Sequence, residues 1–150
     1  MIFVRYKFDN KVKKKFKSLD IDINELKRFS TFIINEYKNT RKIWKYDIDI
    51  SEINCVSSGY YGGYNEIELA LKSHKRSKVK RKEFILSSFF HELCHFCQDN
   101  LDGYSFEKRM DYNEEDVERV SDKYYYNPLE IKARKFEEKY TKIYLQMFNQ

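Results

Sequence analysis

The sequence predicts a single α+β domain, residues 1–150, in which a short mixed sheet packs against helices. Apolar and polar residues alternate with the period of a strand in three segments, 2–8, 43–50 and 64–71. In three other segments, apolar residues recur at spacings of three and four, which is the pattern of an amphipathic helix. These segments are 23–38, 84–101 and 128 to the C-terminus. One Pro and four Gly among 150 residues, with 41% hydrophobic content, suit one packed domain of regular secondary structure.

Cap and turn residues mark the ends of these elements. Residues 22–25, Asp-Ile-Asn-Glu, favour a helix start before the first helical stripe. Residues 54–57 fit a further short strand, and the glycine-containing residues 58–63 predict a turn or loop. Asn113, followed by three acidic residues, fits the start of a short helix. Residues 127–128, Asn-Pro, suit the N-cap and first position of the last helix.

The helix predicted at 84–101 contains the motif His-Glu-Leu-Cys-His at residues 91–95. His91 and His95 are about one helical turn apart on the same face, so both can bind one metal ion. Glu92 lies beside the first ligand, where its carboxylate can take a proton from a metal-bound water. The motif therefore predicts a hydrolytic metal site.

Two faces of this helix differ in polarity. Its apolar positions form the stripe of a core-facing helix, Leu86, Phe89, Phe90, Leu93, Cys97 and Leu101. Its polar positions follow another line, Ser88, His91, His95, Gln98 and Asp102. We therefore expect one wall of the site to be packed and the other to be open to substrate. Two of the three histidines in the chain fall in this motif, which favours metal binding over a surface helix with two chance histidines.

A catalytic zinc site generally takes three protein ligands, so a third ligand is needed. No histidine follows His95, and the one other histidine is His74, so a carboxylate is expected. Glu130, in the first turn of the last helix, is the main candidate. However, Asn127 and Glu130 also fit a capping box, in which the glutamate only returns to the Asn127 backbone. The residues alone leave both interpretations open, with three further carboxylates as weaker candidates, Asp102, Asp116 and Asp122.

The motif at 91–95, followed by the segment 130–136 (Glu-Ile-Lys-Ala-Arg-Lys-Phe), resembles the gluzincin pattern of a zinc-binding helix and a distal glutamate. It is most similar to the IrrE/ImmA-type metallopeptidases and to small phage and bacterial zincin-like proteins. Position 137 is Glu where the IrrE/ImmA pattern has Ala. The resemblance covers the chain from about residue 64 onward. It implies a zincin fold, with strand 64–71 at the sheet edge beside the active-site helix.

The resemblance also implies a zinc-dependent metallopeptidase whose ligands are His91, His95 and Glu130. Glu92 would be the general base, and the substrate would be a protein or peptide. An extended substrate would pair with strand 64–71. Tyr126 is the first candidate to donate a hydrogen bond to the oxyanion. A zincin-like protein that binds but does not cleave is the alternative.

Basic residues cluster in two runs of this chain of net charge +5. Residues 11–17 contain five lysines, and residues 72–82 contain seven Lys and Arg, whereas residues 111–122 are acidic. The run at 72–82 could contact a nucleic acid, which is the second alternative function. A solvated loop is favoured, because the run has no interleaved aromatic residues.

Cysteine usage and hydropathy favour a cytoplasmic location for this chain. If the chain is phage-encoded, the location would be the cytoplasm of the host. Three cysteines do not suggest a disulfide framework. Cys94 and Cys97 lie inside the predicted helix, where small packed hydrophobes are a better interpretation than a redox motif. No apolar run approaches the roughly 20 residues of a membrane span, and the N-terminus lacks the features of a secretory signal.

Overall fold

The computed structural model describes residues 1–53, 59–61 (backbone only), 65–72, 77–103 and 127–148. Helices and strands are mixed in these residues, which is compatible with the predicted α+β class. Eight elements follow one another in the described part of the chain: β1 (Ile2–Phe8), α1 (Asn10–Ser18), α2 (Ile23–Tyr37), β2 (Trp44–Glu52), β3 (Gly59–Tyr61), β4 (Glu66–Leu69), α3 (Lys78–Leu101) and α4 (Pro128–Phe148). The short strand predicted at 54–57 and the short helix predicted from Asn113 lie outside the described residues.

The four strands form one mixed sheet in the order β1-β2-β4-β3. β1, β2 and β4 are parallel, and β3 is antiparallel to β4, with Gly59 opposite Leu69. The prediction that strand 64–71 lies at the sheet edge is wrong, because β4 is enclosed between β2 and β3. The prediction of a turn throughout 58–63 is also wrong, since residues 59–61 form the edge strand. A strand of three residues is too short to show a period in the sequence.

One face of the sheet packs on the helices and the other meets solvent. In β1 and β2 the inward side chains are buried, among them Phe8, Ile48 and Ile50. The residues between them, such as Lys7 and Asp49, are exposed. The alternation of apolar and polar residues in the sequence therefore corresponds to a half-covered sheet.

The helices α1 and α2 lie before the second strand, and each is capped by an aspartate. Asp9 Oδ1 accepts a hydrogen bond from the Val12 backbone N–H at 2.8 Å, and Asp22 Oδ1 accepts one from that of Glu25 at 3.1 Å. Helix α2 confirms the prediction for 23–38. Helix α1 was not predicted, because its apolar face consists of two residues among lysines, Val12 and Phe16, both fully buried.

Helix α3 is longer than predicted and more deeply buried. It begins at Lys78, where Ser77 Oγ accepts from the Lys80 N–H, so the end of the basic run is helical rather than a loop. The predicted apolar stripe is buried throughout, and the helix ends at Leu101 as expected. However, the polar side that was expected to be open is buried over most of its length, and only His91 and Asp102 of that line keep some exposure. Gln98 is fully buried, because α4 packs antiparallel along that face.

Helix α4 begins at Pro128, as the sequence predicts, and Asn127 Oδ1 accepts from the Leu129 N–H at 2.9 Å. Its buried face agrees with the predicted stripe at Ala133 and Phe136. Near its end the buried position is Tyr144, whereas Met147, which the predicted apolar stripe of this helix also includes, is 55% exposed. None of the helices in the described residues is long and apolar enough to cross a membrane.

Candidate metal centre

The antiparallel contact between α3 and α4 brings His91, His95 and Glu130 together. Glu130 Oε2 lies 2.9 Å from His91 Nε2, and Glu130 Oε1 lies 2.8 Å from His95 Nε2. One ligand atom from each of the three residues falls within 4.8 Å of the others, a grouping that could hold a metal ion. The three ligands predicted from the sequence are therefore neighbours in the fold.

The contacts of Glu130 bear on the two interpretations of its position. Both carboxylate oxygens are directed at imidazoles of α3, and the residue is 2% exposed. Hence the geometry favours a ligand role for Glu130 over the capping box.

Each imidazole is oriented by a hydrogen bond at its Nδ1 atom, while its Nε2 atom faces Glu130. His91 Nδ1 lies 3.2 Å from Glu137 Oε1, and His95 Nδ1 lies 2.7 Å from Gln98 Oε1. Carboxylate and amide oxygens only accept hydrogen bonds here, so each Nδ1 is the donor. Each ring therefore presents Nε2 to Glu130, which is the orientation that a metal ligand requires.

Gln98 also connects the two helices. Its Nε2 donates to the Leu129 carbonyl oxygen at 3.0 Å, next to Glu130 in the chain. The amide thus links the second histidine to the backbone of the helix that carries the glutamate. Gln98 and Glu137 were not predicted as part of the site. Their spacing, three residues after His95 and seven after Glu130, places each on the ligand face of its helix and could have indicated them.

Two imidazole nitrogens and one carboxylate oxygen are a ligand set found in catalytic zinc sites. The oxygen acceptors behind both rings are the partners that metal-bound histidines usually have. The residues present therefore fit a divalent metal such as zinc.

The site is charged in the absence of a metal. Burial lowers the pKa of His91, but hydrogen bonds to Glu130 and Glu137 outweigh it and raise that pKa to about 10. Burial raises the pKa of Glu130, but hydrogen bonds from His91 and His95 outweigh it and hold that pKa well below its usual range. A metal cation would thus replace a proton that the site otherwise holds.

Glu92, the predicted general base, is 5% exposed in α3. Its charge acts on His91, whose pKa it helps to raise. The structure thus places a buried carboxylate beside the first candidate ligand, as the motif predicts.

The other sequence candidates are not part of this cluster. Asp102 follows the end of α3 and accepts a hydrogen bond from the Tyr37 hydroxyl, so its role as a third ligand is not supported. His74, Asp116, Asp122 and Tyr126 lie outside the described residues. Cys94 and Cys97 are buried free thiols, and burial raises the pKa of Cys94 to about 12. This agrees with packed, unreactive cysteines.

An open groove of about 690 Å³ runs along α3 and α4 beside the cluster. It reaches Glu137, the hydrogen-bond partner of His91, and continues past Ser87 and Thr141. His91 is the most accessible of the three candidate ligands, with 13% of its side chain exposed. The site is therefore most open on the His91 side.

A scan against protein-family models and searches of curated proteins and of solved structures found no match to this chain. The resemblance to IrrE/ImmA-type metallopeptidases therefore stays a prediction from the motifs.

Proposed function

We propose that this chain is a zinc-dependent metallopeptidase. The observation that carries the proposal is the convergence of His91 Nε2, His95 Nε2 and the Glu130 carboxylate, with Glu92 buried in the same helix. The three ligands that the described residues supply would leave a position for water, as in catalytic rather than structural zinc sites. The choice of peptides as substrates rests on the resemblance of the two motifs to gluzincins.

The residues around the metal site would have separate roles in peptide hydrolysis. A zinc ion bound here would supply Lewis-acid activation of water and of the substrate carbonyl. Glu92 accepts a proton from the attacking water as the C–O bond forms, and it then passes that proton to the amine nitrogen, which leaves as the C–N bond breaks. Glu137 and Gln98 hold the two imidazoles in the tautomer that leaves Nε2 for the metal.

The substrate would be an extended peptide. Helix α3 packs against β3 and β4, and β3 has β4 on one side only in the described sheet. A peptide could add as a further strand on the outer side of β3, with its backbone hydrogen-bonded to that strand. This moves the expected docking strand from 64–71 to residues 59–61.

The first test is the metal content of the purified protein by elemental analysis. We expect about one zinc per chain in the wild type, because the three donors form one catalytic-type site. His91→Ala and Glu130→Ala should lose it. Glu138→Ala is the matched control, since Glu138 is exposed on the same helix as Glu130, and it should retain zinc. A wild-type protein that takes up no zinc on reconstitution at neutral pH would overturn the proposal.

The second test separates catalysis from binding alone. Glu92→Gln should keep zinc but lose hydrolysis of a denatured protein or a peptide library, because the amide cannot accept the proton. If Glu92→Gln cleaves as well as the wild type, the assigned role of Glu92 is wrong. If wild type and variant bind zinc and neither cleaves, the alternative of a non-cleaving zincin-like protein is supported.

A further inference from the structure

Positive charge is strongly segregated in this chain. The two basic runs, 11–17 and 72–82, hold 12 of its 29 Lys and Arg and contain no Asp or Glu. The remaining residues carry 17 Lys and Arg against 24 Asp and Glu, a net charge of −7. The runs are therefore more than a sign of general lysine richness.

The fold brings the two runs to one place. Lys11, Lys14 and Lys15 of α1 line a groove together with Lys72, which is 57 residues after Lys15 in the chain. The start of α3 lies at the other end of α1, where Lys78 Nζ is 2.7 Å from Asp20 Oδ2. These five lysines, Lys11, Lys14, Lys15, Lys72 and Lys78, form what we call the basic surface.

Two lysines of the basic surface form ion pairs with carboxylates of the described residues. Glu52 lies 3.8 Å from Lys11 Nζ, and Asp20 Oδ2 lies 2.7 Å from Lys78 Nζ. Lys11 and Lys78 are well exposed in these pairs, with 76% and 51% of their side chains accessible. Exposed ion pairs of this kind are weak and easily exchanged for another anion.

We propose that the basic surface binds the phosphate backbone of double-stranded nucleic acid without reading the bases. Regularly spaced phosphates offer the repeated negative charge that several lysines on one surface match. The residues that line the groove include no aromatic side chain on which an unpaired base could stack. This favours a duplex over a single strand.

An anionic membrane is the other partner with many phosphates, and the structure favours it less. Membrane-surface helices turn an apolar face into the lipid. The apolar residues of α1, Val12 and Phe16, are fully buried in the protein core instead. Only the charged face of α1 is available to a partner.

The basic surface is separate from the candidate metal centre. His91 lies 13 residues after Lys78 in α3, roughly 20 Å along the helix axis. Binding to a duplex should therefore need neither zinc nor the metal ligands. His91→Ala protein treated with chelator tests the surface independently of the proposed peptidase activity.

The experiment measures fluorescence anisotropy of a labelled DNA duplex at about 50 to 200 mM salt. The test variant carries Lys11→Gln, Lys14→Gln and Lys72→Gln. The control carries Lys42→Gln, Lys45→Gln and Lys135→Gln, three exposed lysines outside the basic surface, and so has the same net charge. If each replaced lysine meets a phosphate, the test variant should lose roughly a hundredfold in affinity at about 0.1 M salt, and the salt slope should fall by roughly 3. The control should stay close to wild type.

Several outcomes would overturn the proposal. Equal losses in the two triple variants would show that only net charge matters. Absence of duplex binding by the wild type at about 50 mM salt would rule out the partner. Co-sedimentation with phosphatidylserine vesicles, lost in the test variant, in a protein that does not bind the duplex would assign the surface to a membrane. Tighter binding to a single strand of the same sequence would contradict the duplex assignment.

Discussion

At the scale of single residues, Gln98 is the most informative side chain of the site. It is a fully buried amide whose Oε1 accepts from His95 and whose Nε2 donates to the Leu129 carbonyl. Gln98→Leu removes both hydrogen bonds and leaves the buried His95 Nδ1 without its acceptor. We expect zinc affinity to fall by about 10- to 100-fold and the free energy of unfolding to fall by about 1–3 kcal/mol.

Competition with a chromophoric chelator measures the affinity, and urea unfolding measures the stability. Gln98→Glu is the matched variant, because it keeps an acceptor for His95 Nδ1 and loses only the donor to Leu129. It should retain more of the zinc affinity than Gln98→Leu. Equal affinity in wild type and Gln98→Leu would show that the hydrogen bond does not position His95.

A second prediction at this scale concerns the proton on His91. The pKa of His91 in the metal-free protein is about 10, above the ordinary value of 6.5, so the ring is charged at pH 7.5. A metal ligand must be neutral, so zinc binding should release about one proton from this ring. Zinc affinity should then increase as pH rises from 6.5 toward 9. Calorimetry in two buffers of different ionisation enthalpy measures the protons released, and a value near zero would contradict the charged state of His91.

At the scale of secondary-structure elements, the sequence predicts the helices whose buried residues repeat with the helical period. The amphipathic stripes correctly predict α2, α3 and the start of α4, because each buries one side of a long helix. Helix α1 is missed, since Val12 and Phe16 are too few apolar residues to stand out among lysines. The position of β4 inside the sheet cannot be read from its sequence, because pairing with β3 depends on contacts between strands rather than on a local pattern.

The same distinction applies to the candidate site. His91, Glu92 and His95 are recognisable because one helix supplies their spacing. Glu130 could be singled out as a candidate, but its capping alternative could not be set aside without knowing how α4 packs on α3. Gln98 and Glu137 act across that same contact. The sequence therefore identifies the site residues that lie within one helix, whereas the site residues on the second helix are recognised only from the contact between α3 and α4.

The packing of α4 on its neighbours gives a prediction for this element. Phe136 is 8% exposed and lies against the Tyr37 and Tyr140 rings, with centroids 6.3 and 4.6 Å away. Phe136→Ala should cost about 3 kcal/mol of the free energy of unfolding, because it leaves a cavity beneath α4. Met147→Ala, at an exposed position of the same helix, should cost less than about 0.5 kcal/mol. Urea unfolding in the presence of chelator measures both, and similar values would show that α4 is not anchored through Phe136.

At the scale of the whole molecule, the proposed metal joins two distant parts of the chain. His95 and Glu130 are 35 residues apart in sequence, and the cluster sits between α3 and α4. A zinc ion that binds the folded chain and not the unfolded one shifts the folding equilibrium by mass action, by about 2.7 kcal/mol at a free concentration 100 times the dissociation constant. For a protein of this size such a gain raises Tm by roughly 5 to 10 °C.

Thermal unfolding with zinc and with chelator tests this linkage. The wild type should unfold at a lower temperature with chelator, and Glu138→Ala should show the same shift, because that exposed side chain is not among the grouped donors. His91→Ala and Glu130→Ala should show little dependence on zinc, since each lacks one of the three ligands. In chelator, the difference in Tm between these two variants and the wild type then reports what the His91–Glu130 contact contributes without a metal. A zinc-dependent shift of equal size in all four proteins would mean that the metal binds elsewhere and that the cluster between α3 and α4 is a buried ion pair.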